Sequence, residues 1–282
     1  MIGVNVFGLI HAIQADMPST FRVIAAIGFD EVELLALPKK EQGDAPLAIT
    51  AEETMPRLME QAKQCGLAVN SVHVFCIEEG RTVPVKVVAE TIRRLKRQFD
   101  IENYVFSGMF TDKDGAEKWA SYLREVAEIT KPDGCRIVYH NHSQEFTPVV
   151  VDGNRMTALD HFFALAGQDI WLQLDIGWAG IAGNEQEIAE KYADRIVSIH
   201  LKDFIPGTRG SFQNQNMPQE RFCAIGDGEI KIEQVLAQRD TFPNFTGSII
   251  IDQDHSSTDM LDDIRRGYQN ICAVLKRNGE AI

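Results

Sequence analysis

The sequence has no Cys-x-x-Cys pair, no apolar run approaching the ~20 residues that span a bilayer, and too few basic residues to balance its acidic ones. Its five cysteines, Cys65, Cys76, Cys135, Cys223 and Cys272, are far apart and odd in number, which speaks against a disulfide framework or a zinc ribbon. They read as reduced thiols of a cytosolic protein. The apolar start, MIGVNVFGLIHAI, lacks a basic n-region and a small-residue cleavage site, so no secretory signal is expected and the expected location is the cytoplasm. With 28 Lys and Arg against 41 Asp and Glu, the net charge of -13 opposes any partner held by phosphate neutralisation, so neither nucleic acid nor a membrane is expected as a partner.

What is present fits one enzyme-sized domain. The 282 residues match the ~250 of a (β/α)8 barrel, and the 44% hydrophobic and 24% charged residues are those of an ordinary globular chain. Short apolar runs alternate with longer segments of helical period, the pattern of repeated βα units. The expected strands are Ile2 to Phe7, Glu31 to Leu35, Ala68 to Val74, Asn103 to Phe106, Arg136 to His140, Trp171 to Asp175, Ile196 to His200 and Ser248 to Asp252. The expected helices are Pro18 to Ile27, Ala51 to Gln64, Val85 to Phe99, Lys113 to Thr130, Met156 to Leu165, Glu185 to Tyr192, Glu229 to Gln238 and Asp259 to Arg277. Pro18, Pro56 and Pro84 fall at helix starts, where a missing N–H costs nothing, and Gly28 and Gly66 follow helix ends. No G-x-G-x-x-G turn follows the first strand, which favours a barrel over an open doubly wound sheet. Residues 1–282 are expected to form a single (β/α)8 TIM barrel of α/β class, with the long irregular stretch at about 203–227 as a lid or oligomer contact over the active face.

Barrel enzymes carry their chemistry at the C-terminal ends of the strands. Those ends, or the loops just after them, bear Glu33, His73, His140, His142, Glu145, Asp175, His200, Lys202, Asp203, Asp252, Asp254 and His255. Oxygen ligands with one or two imidazoles suit a single divalent ion, Mn, Mg, Co or Zn. Asp175 closes the apolar run Trp171-Leu172-Gln173-Leu174, His200 closes Ile196-Val197-Ser198-Ile199, and adjacent strands would bring the two together at the rim.

Tyr139-His140-Asn141-His142 with Glu145-Phe146, Leu174-Asp175-Ile176-Gly177-Trp178, Ile199-His200-Leu201-Lys202-Asp203, Gly226-Asp227-Gly228 and Asp252-Gln253-Asp254 follow one another along almost the whole chain. In this order they resemble the sugar phosphate isomerase/epimerase superfamily, the xylose isomerase-like barrels. The resemblance implies one metal ion held by a carboxylate after the fifth strand, an Asp after the sixth, a His after the seventh and a Glu after the eighth. The last three positions become Asp175, His200 and Asp252. The sequence departs from the pattern twice. Its fifth strand ends in His140-Asn141 where many relatives have Glu-Asn, so the fourth ligand is expected to be Glu145, with His142 as the competing choice. Asp252 stands where Glu is usual, and an acid or base retracted by one methylene can lose ~100-fold in rate.

Such a metal would act as a Lewis acid on a hydroxy-ketone, stabilising the enediolate left when a neighbouring C–H loses its proton. Glu145 and Asp252 are the candidate acid–base pair, and His73 is a further proton carrier or hydroxyl ligand. Glu33, His140, His142, Trp178 and Lys202 are candidates for binding a small sugar-like substrate. No basic cluster or glycine-rich cradle demands a phosphate on it. An isomerase or epimerase leads; the same proton abstraction would serve a dehydratase or lyase acting on an inosose or a 3-keto-glycoside. The endonuclease IV branch is disfavoured, because three zinc ions and a basic DNA-binding surface are not provided for. A non-catalytic sugar-binding relative is the remaining rival, and a homo-oligomer is possible.

Overall fold

The computed structural model describes residues 1–38, 54–78, 81–210 and 217–279. Eight parallel strands close into a barrel: β1 (Ile2–Asn5), β2 (Glu31–Ala36), β3 (Ser71–Val74), β4 (Asn103–Phe106), β5 (Arg136–His140), β6 (Ile170–Asp175), β7 (Ile196–Leu201) and β8 (Ser248–Ile251). Neighbours in sequence are neighbours in the barrel, and β1 closes it by pairing with both β2 and β8. The helices outside are α1 (Ile10–Ile27), α2 (Met55–Gln64), α3 (Val85–Phe99), α4 (Lys113–Thr130), α5 (Ala158–Ala166), α6 (Ile176–Ala182), α7 (Glu185–Lys191), α8 (Ile232–Gln238) and α9 (Met260–Arg277).

The sequence explains most of these boundaries. Asp16 breaks α1 with non-helical φ/ψ and caps its second half by accepting from the Ser19 N–H at 2.9 Å, so Pro18 does sit in a first turn. Pro84 immediately precedes α3. Gly28 ends α1 at φ 117°, and a Cβ there would meet the Tyr268 hydroxyl at 2.6 Å. Three expectations need correction. The helix placed from Met156 starts only at Ala158, because Asn154–Thr157 pairs with Pro148–Val151 as a hairpin and Thr157 forms a capping box with Asp160. The helix expected from Glu229 begins at Ile232, since Glu229 is drawn off to the backbone N–H groups of residues 207–209. Helix α6 was not anticipated; Asp175 starts it by accepting from the Trp178 N–H at 2.8 Å. The expected start of α2 at Ala51 lies outside the described residues.

Residues two apart on a strand share a face. On β2 that alternation sends Val32 and Leu34 into the shell of packed helices and Glu31 and Glu33 into the barrel, where Gln173 of β6, on the opposite side, donates to Glu33 Oε2 at 2.7 Å. The interior is therefore polar along part of its length, where barrels usually stack branched aliphatic side chains. No described helix is long and apolar enough to cross a membrane, and all five cysteines are free thiols.

The described part of the stretch after β7 forms a strap. Asp203–Phe204 pairs with Phe222–Cys223; residues 211–216 lie outside the described set. The buried Asp203 carboxylate holds the strap's end by accepting from the N–H groups of Phe204, Gly226, Gly228 and Ile230 at 2.8 to 3.1 Å. Gly228 is required there, because a Cβ would lie 2.1 Å from Asp203 Oδ1. Replacing Asp203 with Ala leaves several buried donors without an acceptor, so Asp203→Ala is expected to lower unfolding free energy by at least ~2 kcal/mol in urea denaturation.

Candidate metal centre

The register of the barrel decides which strand-end groups meet. Asp175 lies opposite His200 across β6 and β7, and Gln173 lies opposite His140 across β5 and β6. Donor atoms of His140, Asp175, His200 and Asp252 come within 4.8 Å of one another, all on buried residues. His140 Nε2 is 3.8 Å from Asp175 Oδ2, and His200 Nδ1 is 3.2 Å from Asp252 Oδ2. Asp175 is fixed by its neighbour: the Asn141 amide accepts from the Asp175 N–H at 3.0 Å and donates to its carbonyl at 3.1 Å. Its Oδ1 accepts from the Trp178 N–H, leaving Oδ2 buried with no hydrogen-bond partner. A buried carboxylate oxygen aimed at two imidazoles and a second carboxylate is an arrangement that a divalent cation satisfies.

The charges around this group are tightly matched. Burial alone would raise Glu33, but the positive charge of His200, whose Nε2 lies 2.9 Å away though out of line for a hydrogen bond, brings it down to about 2. Asn5, Ser71 and Gln173 also donate to Glu33. Against its own burial, His200 is raised to about 10 by Glu33 and Asp252. Asp175 is pushed up to about 7, mainly by burial, with Lys202 opposing. Lys202 is buried too, with Nζ 2.9 Å from Asp252 Oδ2 and 2.5 Å from Asp254 Oδ2.

A cavity of about 390 Å3 opens beside the cluster, and His73, Ser107, His140, His142, Asp252 and Asp254 form its polar wall. Burial holds His73 down at about 4 and, with Lys202, His142 at about 3, so both present neutral imidazoles. His73 Nε2 lies 3.1 Å from Ser107 Oγ.

The expected residues are thus divided differently from the sequence reading. Asp175, His200 and Asp252 do gather, but the fourth member is His140 and not Glu145. Glu145 accepts from the Tyr139 hydroxyl at 2.7 Å and the His142 N–H at 3.1 Å, does not line the cavity, and is raised by burial to about 7. His142 lines the cavity outside the cluster, as a substrate contact would. Glu33 lies beneath the cluster instead of forming a wall. Trp178 is fully buried, packed on Phe204 with ring centroids 5.0 Å apart and 5.4 Å from Lys202 Nζ, so it supports the lysine and offers no sugar-stacking face. Lys202 neutralises carboxylates and does not line the cavity. Sequence reasoning missed Asn141, Gln173 and Ser107. The position of Gln173 two residues before Asp175 on a strand facing the barrel interior was the available signal.

Two outcomes test this assignment. His200→Ala should weaken metal binding by ~10-fold or more, while Glu145→Gln should leave the metal content measured by elemental mass spectrometry unchanged. Glu145 also has a pH signature. Because its folded value of about 7 exceeds its ordinary 4.5, the protein binds an extra proton when folded, and that stabilisation is present below about pH 4.5 and lost as pH rises through 7. Relative to Glu145→Gln, the wild type should lose stability between pH 5 and 8 in parallel denaturation series.

The comparisons agree with this architecture. A family model for the xylose isomerase-like TIM barrel matches residues 21–277. An inosose dehydratase of Clostridium botulinum (strain Alaska E43 / Type E3) is 26% identical over 202 residues, which covers 66% of this chain and 64% of that relative. A solved sugar phosphate isomerase/epimerase from Parabacteroides distasonis superposes with a TM-score of 0.72 at 19% identity, over 98% of this chain and 93% of that one. A xylose isomerase-like TIM barrel protein from Mycobacterium smegmatis, solved in complex with magnesium, gives 0.67 at 15% identity, over 98% and 96%. With a matching model over nearly its whole length and a closed eight-stranded parallel barrel, the chain belongs to the xylose isomerase-like TIM barrel family.

Proposed function

We propose that the protein is a divalent-metal-dependent lyase of the dehydratase type, acting on a neutral sugar-like ring that carries a carbonyl. The observation that carries this reading is the cluster of His140, Asp175, His200 and Asp252 beside a cavity that also presents the neutral imidazoles of His73 and His142. His140, Asp175, His200 and Asp252 would hold the ion, with His200 giving up its proton so that it binds as a neutral imidazole. Bound there, it supplies Lewis-acid polarisation of the substrate carbonyl, which acidifies the adjacent C–H.

The protein's own groups account for the proton movements. His73 Nε2 takes the proton from the carbon beside the carbonyl, with the Ser107 hydroxyl as its partner before substrate enters. The electron pair left behind forms the new double bond as the C–O bond on the next carbon breaks. Asp254, raised by burial to about 6 and hydrogen-bonded to Lys202, gives the departing oxygen its proton, so hydroxyl leaves as water. Lys202 keeps Asp252 and Asp254 in position between turnovers.

Elimination is favoured over isomerisation because the acid–base set is unsymmetrical. Isomerising at one carbon through two carboxylates needs a matched pair across the substrate, and Glu145, one of the expected pair, is occupied by Tyr139. The inosose dehydratases among the relatives point the same way, although the match spans less than two thirds of their length.

Metal-loaded protein incubated in D2O with a panel of inososes and keto-sugars should put deuterium into a substrate C–H position and release water, read by proton NMR and by the absorbance of an unsaturated ketone. Deuterium in a rearranged sugar without loss of water would establish an isomerase or epimerase instead. No exchange with any panel member would remove the catalytic reading. His73→Ala should slow exchange by ~10²- to 10⁴-fold while retaining bound metal.

A further inference from the structure

The cavity has a second wall that the proposed chemistry does not use. Besides the imidazoles and carboxylates, Phe7, Leu35, Phe75, Ile77 and Met109 line it. Ile77 is 43% exposed at the mouth, and Phe7 and Phe75 are only partly buried, so these side chains are not closed into the core. Their rings form a ladder from the metal cluster outward. His73 lies 5.3 Å from His140; Phe75 is nearly parallel to His73 at 5.5 Å and 20°, and Phe7 continues at 6.3 Å and 28° from Phe75.

The apolar wall is held in place by backbone geometry. Met109 adopts φ 49°, a left-handed conformation that an unbranched, non-glycine side chain rarely takes without support. Support comes from behind: the Met109 N–H and the Tyr139 hydroxyl both donate to the buried Glu145 carboxylate, and the Gly108 N–H donates to the Tyr139 oxygen at 3.2 Å. The Tyr-x-x-x-x-x-Glu arrangement of Tyr139 and Glu145 thus fixes the loop after β4, which presents Ser107 to the polar wall and Met109 to the apolar one.

Charge narrows the ligand further. None of the described residues lining the cavity is Lys or Arg, and Asp252 and Asp254 face into it. Among the described lining residues, away from the position of the ion, a phosphate or carboxylate substituent would therefore find no cationic side chain to pair with. The volume of about 390 Å3 lies in the range of pockets that hold drug-sized ligands.

Resting on the proposed function above, we infer that the substrate is amphipathic: a neutral sugar-like ring at the metal cluster carrying an uncharged, flat apolar substituent that stacks along Phe75 and Phe7 and against Met109. The glycosidic or ether substituent is held by the apolar wall and stays attached during the reaction at the ring, so recognition and chemistry occupy separate halves of one cavity.

The experiment is calorimetric titration of the metal-loaded protein with matched phenyl and methyl derivatives of glucosides and of 3-keto-glucosides. The phenyl member of a pair should bind about tenfold tighter or more, the gain expected for burying one aromatic ring. Phe7→Ala and Met109→Ala, each shown to retain metal and the wild-type circular dichroism spectrum, should lose most of that difference while binding the methyl member as before. Equal affinity for phenyl and methyl members would overturn this inference and leave the proposed function standing. No binding of any pair by metal-loaded protein would overturn both.

Discussion

The structure depends on one electrostatic constraint: carboxylates buried at the centre of the barrel have to be matched by cations that are themselves buried. Glu33, Asp175 and Asp252 lie within reach of His200 and Lys202, and all five are almost fully removed from solvent. An unpaired charge in such a place costs several kcal/mol, whereas a fully hydrogen-bonded set can be held rigidly. The barrel meets the requirement by drawing partners from many strands: Asn5 from β1, Ser71 from β3 and Gln173 from β6 all donate to Glu33 of β2. The polar core that results is a stability liability converted into a preorganised floor for the metal-ligating groups.

That constraint also explains which parts of the molecule were legible in the sequence. The barrel was, because each strand carries its own apolar run and each helix its own punctuation, and these local signals agree with the closed topology. Asp175 and His200 were legible as a pair because strand ends on adjacent strands must meet. The fourth member of the cluster was not. The sequence offered Glu145, with His142 as the competing choice, and nothing local in the Tyr-His-Asn-His run reveals that the Tyr139 hydroxyl turns back to capture Glu145 while His140 joins the cluster. Trp178 failed for a related reason: its position after Asp175 suggested the rim, but helix α6 carries it under the strap to pack against Phe204 and Phe222.

His140, at the end of β5, and Asp252, just after β8, belong to one network. His140 brings no negative charge to the cluster, and Lys202, just after β7, reaches Asp252 with Nζ 2.9 Å from Oδ2. Asp254, two residues beyond, then completes the lysine's coordination from the cavity side. The result is a cluster of two carboxylates and two imidazoles with an ammonium fixed beside it. On the proposed reading, separate groups take the proton and give one, in place of a symmetrical shuttle between two carboxylates.

Glu145 then acquires a different meaning from the one its motif suggested. Buried, raised toward neutrality and bonded to Tyr139, it lies between the loop after β5 and the loop after β4. Its carboxyl group satisfies backbone donors from both loops at once, so the position of Ser107 beside His73 and the left-handed turn at Met109 depend on the same buried acid. A carboxylate that looks catalytic by spacing thereby sets the shape of the cavity, and the geometry it imposes on Met109 gives the pocket its apolar side.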